Sequence, residues 1–159
     1  MPTYDIRSIS QVGTTEPFEL QVARGQIPGH QFVSRMAAVP AMSVNTTGTV
    51  WDVDDTLYPW TAWDTPGTLA VARVNAGDAN KNVVISGLDL LYNEITETVT
   101  LTAATGNTTT NSFSRILSAR MNGTSMNLGA VTITRGATTV AKINTGVGQT
   151  LMGVYTVPA

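Results

Sequence analysis

Few side chains in this sequence have the chemistry of catalysts or metal ligands. His30 is the only histidine, and there is no cysteine. A Ser-His-Asp triad would have to use His30, and no Ser stands in a G-x-S-x-G elbow. The simpler reading is that His30 closes the Pro28-Gly29 turn. One His without Cys leaves zinc without its preferred ligands, and disulfides and thiol catalysis are excluded. Asp52, Asp54 and Asp55 form the one acidic cluster. Hard cations accept such groups, but the EF-hand spacing with its distal Glu is absent, and the three carboxylates are expected to face water. Glu94 and Glu97 fall on opposite faces of a regular strand, so they cannot act as a paired general acid and base. No phosphate-cradling glycine loop occurs. The sequons at Asn45, Asn107 and Asn122 reflect how common Asn and Thr are here. The expectation is a protein without catalytic, metal or cofactor sites.

Trp51, Tyr58, Trp60 and Trp63 are the densest aromatic group. Tyr58, Trp60 and Trp63 lie in an irregular stretch between Asp54 and Pro66, with Pro59 among them. Three readings stay open: core residues, a contact surface, or a platform that stacks on sugar rings. Trp and Tyr are enriched at interface hot spots, and prolines stiffen the loop that carries them. Tyr58, Trp60 and Trp63 are therefore taken as the candidate partner-binding residues.

The elements that would hold such a loop are strands. Charged residues make up only 13% of the sequence, about half the usual share, and hydrophobic residues 42%. About one residue in six is Thr, a β-former suited to a half-wet pleated surface. A net charge of −2 gives no basis for binding nucleic acid through its phosphates. Low surface charge suits a protein packed against copies of itself or other partners. Met1 to Asp5 has neither the charged start nor the apolar stretch of a signal peptide. No run approaches the roughly 18 apolar residues of a membrane span.

Alternation and turn residues predict nine or ten short strands and no helix. Phe18 to Val22 alternates strictly. Strands are also expected over 31–39, 47–53, 69–74, 82–87, 94–101, 112–120, 129–135, 139–143 and 151–157. In the Glu94–Leu101 segment, Ile95, Glu97, Val99 and Leu101 share one face, opposite Glu94, Thr96, Thr98 and Thr100. The expected core includes Ile95, Val99, Leu101, Val131, Ile133, Met152 and Val154. Strands at this spacing indicate an all-β fold, an antiparallel β-sandwich with a jelly roll as one form of it. The organisation expected is one domain over 1–159, with 1–25 as an N-terminal arm.

Three blocks carry a family resemblance. Gly87 to Leu101 reads G-L-D-x-x-Y-x-E-I-x-E-T-V-x-L. Asn111 to Arg115 reads N-S-F-x-R. Gly146 to Ala159 reads G-x-G-Q-T-L-M-x-V-Y-T-V-P-A. With an I-P-G segment at Ile27–Gly29 and a following Trp- and Pro-containing loop, the chain resembles a family of structural proteins of tailed-bacteriophage virions. The resemblance runs from Ile27 onward. It implies a component of the particle, placed in the virion as a head decoration, neck or tail and fibre protein, that binds other virion proteins and copies of itself as a homo-oligomer. A carbohydrate-binding module for host adhesion is the rival. Members of that family usually continue past the last block into further β structure. The chain is therefore expected to be a short member or the N-terminal part of a larger protein.

Overall fold

A computed structural model describes residues 16–30, 32–123 and 126–158, and it divides the chain into two units, 1–34 and 35–159. In the first unit, Phe18–Ala23 is a short α-helix, α1, and not the expected strand. Pro17 precedes it, and Glu19 sits in the first turn, where the helix dipole favours an acid. Gly25 takes φ 68° just past the end, and its N–H and that of Gln26 bond back to the Val22 and Gln21 carbonyls. This is a Schellman stop, which needs a residue tolerant of positive φ. None of the α1 residues is buried, so their alternation marks no core-facing side. His30 turns Nδ1 toward the Pro28 carbonyl at 3.3 Å and packs edge-on against Phe18.

The second unit is an antiparallel β-sandwich, with seven strands among the described residues. They are β1 (Ala70–Arg73), β2 (Asn82–Leu88), β3 (Glu94–Thr100), β4 (Asn107–Thr108), β5 (Arg115–Asn122), β6 (Val131–Arg135) and β7 (Thr138–Ile143). One sheet has the order β4-β1-β6-β7 and the other β3-β2-β5. Four and three strands among the described residues bear out the sandwich and do not confirm the eight-stranded double Greek key of a jelly roll. Val83 and Ile85 of β2, Val99 of β3 and Ile116 of β5 share one apolar cluster with Val71 of β1, Ile133 of β6 and Ile143 of β7. Of the expected core, Val99, Leu101, Val131, Ile133, Met152 and Val154 are buried, and Ile95 is partly buried against the same cluster.

Three further segments expected as strands are irregular. Residues 32–39 and 47–53 contain no strand, and 151–157 runs on without a ladder; Gln31 lies outside the described residues. The 151–157 segment is nevertheless tied down. Leu151 accepts from Ala38 N–H and donates to Asp52, while Gly153 donates to the Val50 carbonyl. Its partners come from separate loops, so each bond stands alone and no ladder can propagate.

Buried polar side chains replace the missing ladders. Asn107 Nδ2 donates to the Val71 and Ala103 carbonyls, and its Oδ1 accepts from Ala103 N–H. Thr109 and Thr150 accept from the backbone N–H groups of Leu69 and Ala119. Asp78, fully buried, accepts from Leu128 and Gly129 N–H and from the Lys81 ammonium. Backbone groups at loop ends need partners when buried, and short Thr, Asn and Asp side chains supply them.

Candidate contact site

The 54–66 segment begins in a tight loop. Asp54 Oδ1 accepts from the Thr56 N–H and hydroxyl, and Thr49 N–H donates to the Thr56 carbonyl. Gly48 is required where the loop closes, because a Cβ there would lie 2.2 Å from the Asp55 carbonyl oxygen. Trp51 Nε1 donates to the Thr56 carbonyl at 3.2 Å and fixes that ring beneath the loop. After Pro59 the chain makes a 3₁₀ turn over Trp60–Trp63.

The aromatic group splits between interior and surface. Trp51, Tyr58 and Trp63 belong to the core. Trp51 meets Tyr58 edge-on at 5.1 Å, and Trp63 Nε1 donates to the Tyr58 hydroxyl at 2.9 Å. Burial pushes the Tyr58 hydroxyl above its ordinary range, against the opposing effects of the Trp63 hydrogen bond and the nearby Arg115 charge. A contact surface made of all three candidate rings is thus corrected. Tyr58 and Trp63 lie inside because two prolines and the 3₁₀ turn fold the segment back on the sandwich. Trp60 alone keeps an open ring, 49% exposed, packed edge-on against Tyr58 at 4.8 Å.

Two residues not singled out from sequence complete the surface around Trp60. The Arg115 guanidinium lies 5.9 Å from the Trp60 ring centre and 6.0 Å from that of Tyr92. Arg115 Nη1 donates to the Trp63 and Ser114 carbonyls, which fixes the group. Its Nε and Nη2 have no acceptor among the described residues. Tyr92 is 40% exposed and sits in the β2–β3 turn, with the exposed Leu90 and Leu91 beside it. Asp89 holds that turn by accepting from Leu91 and Asn93 N–H, and Tyr92 itself takes φ 63°. Positive φ on a bulky residue costs free energy, so the surrounding bonds must hold it there. Apolar Leu90-Leu91-Tyr92 inside a turn bounded by Asp89 and Asn93 is the one sequence signal that could have pointed here. Nothing in the sequence placed Arg115 beside it.

The other candidates do not converge. Asp52 is buried and not water-facing: one oxygen accepts from Leu151 N–H at 2.8 Å, and the other is buried without a partner. Burial raises its pKa despite the Leu151 bond. Asp54 caps its own loop, and Asp55 accepts from Ser43 N–H. Among the described residues, no three His, Asp or Glu side chains cluster as a metal site would. Glu94 is exposed on the outer face of its sheet, while Glu97, on the inner face, accepts from Thr110 and Asn111 N–H. No protein-family model, curated protein or solved structure matches the chain.

Proposed function

We propose that this chain is a non-catalytic structural component of a tailed-bacteriophage particle and works through protein–protein contacts. The observation that carries the contact reading is the fixed Arg115 guanidinium between the exposed Trp60 and Tyr92 rings. Arg, Trp and Tyr are the residue types that dominate interface hot spots, and one such ring can be worth about 2 kcal/mol or more of binding. The rings are held before any partner arrives, so little side-chain entropy is left to lose on docking. Assignment to a phage particle rests on the three sequence blocks.

The test is to purify particles from a producing culture and quantify the chain by mass spectrometry. A fixed, stoichiometric copy number per particle is expected, and Trp60→Ala should reduce incorporation while the free chain stays folded. Absence from purified particles would overturn the proposal. The two exposed rings also offer flat faces to sugars. Trp60-dependent binding of the isolated chain to an immobilised glycan panel, with no particle incorporation, would favour host-glycan adhesion instead.

A further inference from the structure

The two edges of the β3-β2-β5 sheet are finished differently. Along β5 the chain covers itself: Met121 N–H donates to the Gly148 carbonyl, Thr150 N–H to the Ala119 carbonyl, and Arg35 Nη1 to the Leu117 carbonyl. The outer edge of β3 is bare among the described residues. Its register with β2 is unbroken from Glu94 opposite Leu88 to Thr100 opposite Asn82. Just beyond the two ends, Asp89 N–H donates to the Asn93 carbonyl and Leu101 N–H to the Lys81 carbonyl. Backbone groups of successive strand residues point to opposite sides. Ile95, Glu97 and Val99 therefore face β2, as Asn93 and Leu101 do, while Glu94, Thr96, Thr98 and Thr100 face away from it. Of these outward groups, only the Thr100 carbonyl has a backbone partner among the described residues, the Thr102 N–H.

A bare edge is a template for another strand, and proteins blunt such edges with proline, lysine, bulges or very short strands. β3 is seven residues long, without proline or lysine, and its ladder with β2 has no bulge. What it carries is Glu94 on the outer face and Glu97 on the inner, and neither forms an ion pair among the described residues. Glu97 accepts one bond per oxygen, from Thr110 and Asn111 N–H, so both oxygens keep acceptor capacity. The carboxylates choose the occupant. The one antiparallel register that overlaps two β3 strands along their whole length sets Glu97 against Glu97, and like charges directly opposite are destabilising. A strand with a cation opposite each carboxylate is favoured instead. Glu94 and Glu97 stand three residues apart, so the two cations must have the same spacing.

We infer that the free edge of β3 takes an extended segment of a different protein as an added antiparallel strand, with Lys or Arg at two positions three residues apart and β-branched residues around them. Backbone hydrogen bonds to Glu94, Thr96 and Thr98 supply the affinity, and the two carboxylates fix the register. This site is separate from the Trp60 patch, and the inference uses neither that patch nor the sequence blocks.

The test is amide hydrogen exchange by NMR on the full chain, with the capped peptide Thr-Val-Thr-Lys-Thr-Val-Lys as the probe. This peptide places a lysine opposite Glu97 and another opposite Glu94. The Thr96 and Thr98 amides should exchange fast in the dilute free chain and slow about tenfold or more at millimolar peptide. The same peptide N-methylated at its threonines, whose N–H groups would face β3, should give no protection. A peptide with glutamate in place of lysine should bind several-fold more weakly, and Glu94→Lys should weaken binding of the lysine peptide. Thr98→Pro should abolish binding without unfolding the chain, because proline is tolerated on an edge where the N–H faces solvent. If Thr98→Pro does not fold, the N-methylated peptide decides. Thr96 and Thr98 amides already slow in the dilute free chain would mean that the edge is covered, and would overturn the inference. So would slowing that appears with concentration and no peptide, which would mean a second copy, or equal protection by the N-methylated peptide, or none by the lysine peptide. Particle incorporation is measured separately, so a failure here leaves the proposed function standing.

Discussion

Replacing Asp78 with Ala should destabilise the sandwich more than the loss of one surface acid suggests. The carboxylate is fully buried; Oδ1 accepts from Leu128 N–H at 2.8 Å and from Lys81 Nζ at 2.9 Å, and Oδ2 accepts from Gly129 N–H at 2.9 Å. Asp78→Ala leaves the Gly129 N–H buried without a partner and the Leu128 N–H partly so. Each orphaned donor costs about 1–3 kcal/mol, and hydrogen bonds to a charged group are worth about 1.5–3 kcal/mol. Lys81 loses less, because it keeps the Met126 carbonyl at 2.8 Å. The sum is about 3–5 kcal/mol, the range found when one partner of a buried ion pair is removed. Against a total stability of about 5–15 kcal/mol, that should lower Tm by roughly 10–15 °C. Burial raises the Asp78 pKa, but the bonds from Leu128, Lys81 and Gly129 outweigh it and hold the carboxyl below its ordinary value. A lowered folded pKa means stability that is fully present above the unfolded value of about 3.9 and lost as pH falls through the folded one. Asp78→Asn should therefore lag the wild type at neutral pH and converge on it in acid. Urea unfolding followed by tryptophan fluorescence measures both, since Trp51 and Trp63 are buried. An Asp78→Ala protein within about 1 kcal/mol of wild type at pH 7 would refute the reasoning.

Asp52 should show the opposite sign. Its folded pKa is raised by burial, so its contribution is most favourable when protonated and is lost as pH rises through the folded value. Asp52→Asn should gain on the wild type between acid and neutral pH in the same urea titration, and a constant difference would count against the orphaned carboxylate. The two tryptophans of the 60–63 turn should separate: Trp63→Ala should cost about 3–5 kcal/mol and Trp60→Ala less than about 1 kcal/mol by thermal melting. Equal losses would mean that Trp60 is also structural. Ile133→Ala, in the centre of the core, should cost about 2–5 kcal/mol, with a smaller loss expected only if the sandwich collapses into the gap. Gly87→Ala should be strongly destabilising by the same assay, because a Cβ there would lie 2.3 Å from the Arg115 carbonyl oxygen and 2.6 Å from the Phe113 ring; a wild-type melting curve would show that β5 can shift.

The sequence by itself determined the sandwich and the inward residues of its regular strands. Val99, Val131 and Ile133 could be assigned because a strand with one buried face must repeat every two residues, and a change of phase would expose them all. Alternation failed at Phe18–Val22 because five residues with no buried side carry no phase information, and local capping chose the helix. It failed again at 32–39, 47–53 and 151–157. Those backbones are held by isolated bonds to distant loops, such as Leu151 to Asp52 and Gly153 to Val50, which leave no periodic trace. The high Thr and Asn content was legible as β-propensity, but the role of Asn107, Thr109 and Thr150 as partners for buried backbone was not. The aromatic loop was visible as an unusual cluster; which ring faced out was not. Burial of Tyr58 and Trp63 and exposure of Trp60 were decided by the direction in which Pro59 and the 3₁₀ turn send the chain. The meeting of Trp60, Tyr92 and Arg115 depends on the registers of β2 with β3 and with β5. Register is fixed by the packing of whole strands, so residues tens of positions apart become neighbours only once the sandwich has closed.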